Sequence, residues 1–212
     1  MARAEQAQRG NSGTREVLLE TAERLFAERG FAATSVRDIV RDAGTSAPSL
    51  YHFFGSKENL VVELVADRHT AYCDALEAEL RSAETFFDVC QRFVRFVLTN
   101  MNKKPITAKL ILSVMFGPQQ DVPEKAVGET LVRSQEILQA RMRAVSNGVS
   151  ESRLVFARMM LVGMVTPAVL MFLTSGVQSF SSKLPACIAQ RVVDMLADSH
   201  PICAWPTVSV VS

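Results

Sequence analysis

Apolar positions recur along this chain at spacings of three and four, the period of an α-helix, and almost nowhere at strict alternation. Leu18, Ala22, Leu25 and Phe26 form one such face and predict a first helix over residues 15–29. Thr14 is placed to cap it, Glu16 suits the dipole of its first turn, and Gly30 supplies the stop behind which Phe31 folds back. A short second helix is predicted over 35–43, with Val36, Ile39, Val40 and Ala43 facing inward. Thr34 or Ser35 caps it, and Ser35 with Asp38 fits a capping box. Gly44 ends it, and a third helix follows over 47–53, capped by Ser46 and carrying Pro48 in its first turn, where a missing N–H costs nothing. Leu50, Phe53 and Phe54 reach inward; Gly55 then breaks the chain. Ser56 caps a long fourth helix over 57–81, whose apolar face begins with Leu60, Val61, Leu64 and Val65.

Longer helices fill the rest. They are predicted over 86–102, 106–116, 124–145, 151–175 and 184–198, separated by Lys103-Lys104-Pro105, Gly117-Pro118 and Asn147-Gly148. Strand signals are nearly absent, and the expected class is all-α. Four regions are expected: a flexible basic arm (1–13), a three-helix N-terminal domain (14–60), a larger helical domain (61–199) and an irregular tail (200–212).

Composition narrows the function. The chain has 212 residues, 48% of them hydrophobic, enough for a substantial core. Its 23 Lys and Arg balance 22 Asp and Glu, so affinity for nucleic acid has to come from a local arrangement of donors. Cys73, Cys90, Cys187 and Cys203 lie far apart, as do His52, His69 and His200; no metal and no cofactor are expected. No phosphate loop, nucleophile elbow or zinc-protease motif is present, which argues against an enzyme. The uncharged stretch Met159–Val177 has the length of a membrane span, but Gly163 and Pro167 interrupt it and Arg153 and Arg158 precede it. A helix buried in a core or an obligate interface is the expectation, in a cytoplasmic protein.

Three short helices with tight glycine turns, followed by a longer one, is the layout of a helix-turn-helix head. Three segments carry a resemblance: Gly30-Phe31-Ala32-Ala33-Thr34-Ser35-Val36-Arg37-Asp38-Ile39, then Ala43-Gly44-Thr45-Ser46, then Leu50-Tyr51-His52-Phe53-Phe54-Gly55-Ser56-Lys57-Glu58-Asn59-Leu60. The chain resembles the TetR family of bacterial regulators over about residues 14–65. The resemblance implies double-stranded operator DNA as partner. Thr34 or Ser35 would offer a hydroxyl or N–H to a phosphate, and Arg37 would reach the backbone or a groove edge. Thr45, Ser46, Ala47, Pro48 and Ser49 would form the front of the recognition helix. Tyr51 and Lys57 would meet phosphates. Many members carry a histidine where this chain has Phe53, so His52, one position earlier, is a candidate substitute. The recognition front lacks an arginine for bidentate guanine contact, which shifts affinity towards phosphates and discrimination towards Arg37, the arm and DNA shape.

For the larger domain the resemblance implies a homodimer and a pocket for a small apolar inducer. The candidate pocket residues are Phe93, Phe96, Met101, Met115, Phe116, Met142, Phe156 and Met160, against the alternative that Phe and Met at helical spacing are simply core. The candidate interface residues are Met160, Gly163, Met164, Pro167, Leu170, Met171, Ile188, Val192, Met195 and Leu196. The expected function is a sequence-specific repressor released by ligand. A protein of the same fold controlled by a protein partner, or by no ligand, stands as the alternative.

Overall fold

A computed structural model describes the backbone of residues 2–116, 125–175 and 179–197, and the side chains of these apart from 2–12, 112–131 and 173. The described residues form nine helices and no strand: α1 (Ala2–Arg29), α2 (Val36–Asp42), α3 (Ala47–Phe54), α4 (Lys57–Leu80), α5 (Phe86–Lys103), α6 (Pro105–Phe116), α7 (Lys125–Ala144), α8 (Glu151–Ser175) and α9 (Leu184–Ala197). The all-α expectation holds. The side chains of Met115 and Phe116 of the candidate pocket, and the whole of the 200–212 tail with His200 and Cys203, fall outside what is described.

The chain divides into two compact units. The first comprises 1–76 and 99–135. Its core is built from Leu18, Leu25 and Phe26 of α1, Ile39 of α2, Leu50 and Phe54 of α3, and Leu60 and Leu64 of α4. Leu110 of α6 is buried in the same cluster and Ile111 packs against it. The division therefore does not fall near residue 60. A three-helix head has little surface to bury, and α6 supplies an additional wall. Gly30 ends the regular part of α1 with φ +82° and its N–H on the Phe26 carbonyl at 3.0 Å, the left-handed stop that a β-carbon would disfavour. One boundary differs from expectation. α1 begins at Ala2, so residues read as an arm belong to the helix, and Thr14 lies inside it instead of capping it. Most of these residues, such as Ala4, Glu5 and Gln6, are good helix formers, and no proline breaks the run.

The second unit comprises 77–98 and 136–212. Val89, Cys90 and Val94 of α5, Leu138 and Met142 of α7, and Leu154, Ala157 and Leu161 of α8 are buried. α8 packs along α9, and Arg153 donates to the Leu196 carbonyl at 2.5 Å, capping the end of α9 with a cation. Pro167 sits inside α8, exposed. The outer face of α8 is apolar and uncovered: Met159, Leu170 and Met171 are each more than two-fifths exposed. By length and composition the Glu151–Phe172 part of α8 passes as a membrane span, with a third of it buried. Two candidate interface residues are corrected here. Ile188 and Val192 are buried within the unit, because their face of α9 is the one the fold encloses.

Candidate nucleic-acid interface

The head is built by its caps. The Ser35 hydroxyl accepts from the Asp38 N–H at 3.1 Å and donates to the Asp38 carboxylate at 2.5 Å, and that carboxylate also accepts from the Ser35 N–H at 3.1 Å. The capping box is closed. Those hydrogen bonds, the Ser35 hydroxyl first, hold the Asp38 carboxyl below the usual carboxylate range, with Arg41 adding to the effect. Ser46 caps α3 by accepting from the Ser49 N–H at 3.4 Å, and the two hydroxyls lie 3.0 Å apart. Between the helices, the Thr45 N–H donates to the Val40 carbonyl at 2.9 Å. Leu50 and Phe54 anchor α3 in the core, which turns Tyr51 and His52 outward.

This geometry sorts the candidate contacts. Tyr51 is 51% exposed, and no partner for its phenol occurs among the described residues. His52 is exposed with its ring edge on Phe53 at 5.3 Å, while Phe53 is half-buried against the core. Arg37 is exposed and, among the described residues, has no ion pair; Arg41, one turn on, is held by Asp38 at 3.2 Å and Asp42 at 3.1 Å. Pro48 is exposed and Ala47 half-buried at the front of α3. Thr14, Pro48, Ser49, His52 and Phe53 line an open notch of about 320 Å³ on this side of the head.

Three expectations change. Thr34 is 1% exposed and donates its hydroxyl to the Gly30 carbonyl at 2.8 Å, so it braces the turn and has nothing to offer a phosphate. The Ser35 hydroxyl is likewise consumed by its cap. Lys57 is half-buried and points inward: its ammonium donates to the Phe31 and Thr34 carbonyls, each at 3.0 Å, under the Phe31 ring.

A polar cluster that the sequence did not reveal lies behind the head. Glu23 of α1 is 8% exposed and accepts from Arg68 of α4 at 2.9 Å and from the hydroxyl of Thr107 of α6. Arg68 also donates to Glu16 at 3.1 Å, tying α1 to α4 a second time. The available signal was a charge inside an apolar face, since Glu23 stands at i+4 from Leu19 and i−3 from Phe26.

Of the candidate pocket residues, Phe93 and Met142 are buried in the second unit and Met101 in the first; Phe96, Phe156 and Met160 are half-buried. None of them lines the notch above or the cleft of about 590 Å³ over Glu20, Arg24, Asp42 and Lys103–Thr107. Burial pushes the Cys90 thiol up to about 12, so it is an unreactive core residue at neutral pH.

Residues 18–64 match the model of bacterial regulatory proteins of the tetR family. Over 56 residues the chain is 55% identical to the HTH-type transcriptional repressor KstR2 of Rhodococcus jostii, a match spanning 26% of this chain and 28% of that relative. It is 29% identical over 188 residues to the HTH-type regulator YdgC of Bacillus subtilis, covering 86% of this chain and 90% of that one. Among solved structures, FadR of Bacillus subtilis in complex with stearoyl-CoA has the same fold, with a TM-score of 0.67 at 16% identity over 88% of this chain and 99% of that one.

Proposed function

We propose that this chain, whose residues 18–64 match the tetR family of bacterial regulatory proteins, is a cytoplasmic, homodimeric transcriptional repressor that binds a near-palindromic operator. The observation that carries this is the pair of exposed donors on adjacent short helices, Arg37 on α2 and Tyr51 on α3, which have no partner among the described residues and lie within the segment that matches the family. Tyr51 and His52 meet phosphates, and Thr45, Ser46, Ala47, Pro48 and Ser49 enter the major groove. Arg37 reads a groove edge or the adjoining backbone. The apolar front of α3 suits thymine methyls, and the paucity of bidentate donors leaves part of the discrimination to DNA shape.

Dimerisation uses the uncovered face of α8, through Met160, Gly163, Met164, Pro167, Leu170 and Met171, with Met195 and Leu196 of α9 at its margin. Symmetry then presents two recognition helices to two half-sites. Sedimentation velocity tests this: the parent sediments as a dimer and Leu170→Glu/Met171→Glu as a monomer, whereas a parent monomer contradicts it.

The effector in this proposal is a small apolar molecule that favours a head spacing unsuited to the operator and so shifts the population off DNA. A long acyl thioester is the first probe, because the FadR counterpart was solved with stearoyl-CoA. Phe96, Phe156 and Met160, half-buried, are the residues best placed to contact it. The burial of Phe93 and Met142 favours a second reading, in which these side chains are core and control comes from a protein partner or is absent. Stearoyl-CoA that raises the melting temperature and releases operator supports the first; neither effect across a panel of acyl-CoAs and apolar small molecules supports the second.

A further inference from the structure

We propose that Lys57 is a positioning residue that fixes α2 against α4, and that it does not itself meet DNA phosphate. The proposal rests on the operator-binding reading above.

Lys57 is the first residue of α4, where the helix dipole opposes a cation. The structure shows what compensates it. An ammonium has three N–H donors, and two of them end on the Phe31 and Thr34 carbonyls at 3.0 Å. The Phe31 ring covers the charge at 4.1 Å from its centroid, and that ring is itself set against Phe26 at 5.4 Å. Both carbonyls belong to the turn that joins α1 to α2.

That turn is held from two sides. From within, the buried Thr34 hydroxyl donates back to Gly30. From α4, Lys57 donates to the Phe31 and Thr34 carbonyls, the first of which also accepts the Thr34 N–H at 3.3 Å. Ser35, the next residue, caps α2, and the Thr45 N–H on the Val40 carbonyl carries the constraint on to the start of α3. The pose of Arg37 therefore depends on a lysine twenty residues downstream. To swing out of this turn towards a phosphate, Lys57 would have to release two carbonyls and an aromatic face together. Arg37 and Tyr51 meet no such cost, since no partner holds them among the described residues.

The test uses full-length Lys57→Gln and Phe31→Leu with an operator selected by the parent protein. Affinity for that operator and for a random duplex is measured across salt. In Lys57→Gln, operator affinity is expected to fall about tenfold, random-duplex affinity less than about twofold, with the log–log salt slope kept to within about 0.3. Phe31→Leu moves the same ratio in the same direction. If both duplexes weaken alike and the slope drops by about one, Lys57 is a phosphate ligand and the proposal is wrong. If both affinities persist and only the melting temperature falls, Lys57 is a structural brace without influence on recognition, and the proposal is equally wrong. Should the parent bind no duplex, the operator reading fails by itself. Amide hydrogen exchange at Thr34–Arg37 then decides the positioning claim: faster exchange in Lys57→Gln supports it and unchanged exchange overturns it.

Discussion

Replacing Glu23 with alanine removes a carboxylate that ties α1 to both α4 and α6. Glu23 is 8% exposed, and its partner Arg68 keeps only 18% of its side chain in water. Loss of a charge-assisted hydrogen bond in such a setting costs about 1.5–3 kcal/mol, and leaving the Thr107 hydroxyl without its acceptor adds about 1 kcal/mol. Stripping one partner from a fully buried pair would cost about 3–5 kcal/mol, which is an upper bound here. Arg68 retains Glu16 and Asp67, at 3.1 and 2.8 Å, and both are about half exposed. These lessen the penalty without abolishing it. The expected destabilisation is about 2–3 kcal/mol, or about 4–12 °C in Tm for a chain of this size. Glu23→Gln keeps one acceptor and should lose about 1 kcal/mol. Urea unfolding followed by far-ultraviolet circular dichroism measures both. A double-mutant cycle with Thr107→Val should give a coupling of at least about 0.5 kcal/mol. Glu23→Ala within about 0.5 kcal/mol of the parent, or strict additivity with Thr107→Val, would refute the assignment of Glu23 as the three-helix tie.

Other consequences follow from burial and charge. Leu50→Ala empties a fully buried site in the head core and should cost about 2–5 kcal/mol, with operator binding lost as the head unfolds; chemical denaturation checks it. Tyr51→Phe should leave Tm within about 1 °C, because the phenol has no structural partner among the described residues, yet weaken all duplexes alike; retained affinity would remove Tyr51 from the contact set. Burial, and secondarily the charge of Arg133, lower the His69 pKa, and the ring lies 3.5 Å from the Cys73 sulfur. The unfolded chain therefore takes up this proton first as pH falls. The contribution of neutral His69 is whole above the unfolded value of about 6.5 and is lost as pH drops from there towards the folded value. The pH dependence of unfolding should flatten in this window in His69→Asn; an unchanged slope would show that His69 is not the group responsible.

Local chemistry announced most of the fold. Ser35 and Asp38, Ser46 and Pro48, and the glycines at 30, 44 and 55 place the ends of α2 and α3 within a residue or two of their observed positions, because caps and left-handed stops act over one helical turn. The start of α1 escaped, since Thr14 is a good cap in a stretch that is also good helix. The contact residues divide on the same physical ground. Exposure of Tyr51 and Arg37 follows from helical periodicity around Leu50 and Ile39. The inward turn of Lys57 and the burial of Thr34 depend on carbonyls that only the folded turn brings together, 26 residues from the lysine in the case of Phe31. Glu23 was hidden for a similar reason: its partners lie 45 and 84 residues away, on helices whose placement no short-range pattern encodes.

The central claim is that the head recognises a two-fold operator. Selection of the full-length protein on a pool of random duplexes, at moderate salt, tests it directly. The account predicts enrichment of a pseudo-palindrome with half-site centres about 10–10.5 base pairs, or a multiple of that, apart, and loss of discrimination at defined positions in Arg37→Ala. Recovery of no motif, or of a single half-site with no symmetry mate from a protein that sediments as a dimer, would contradict it.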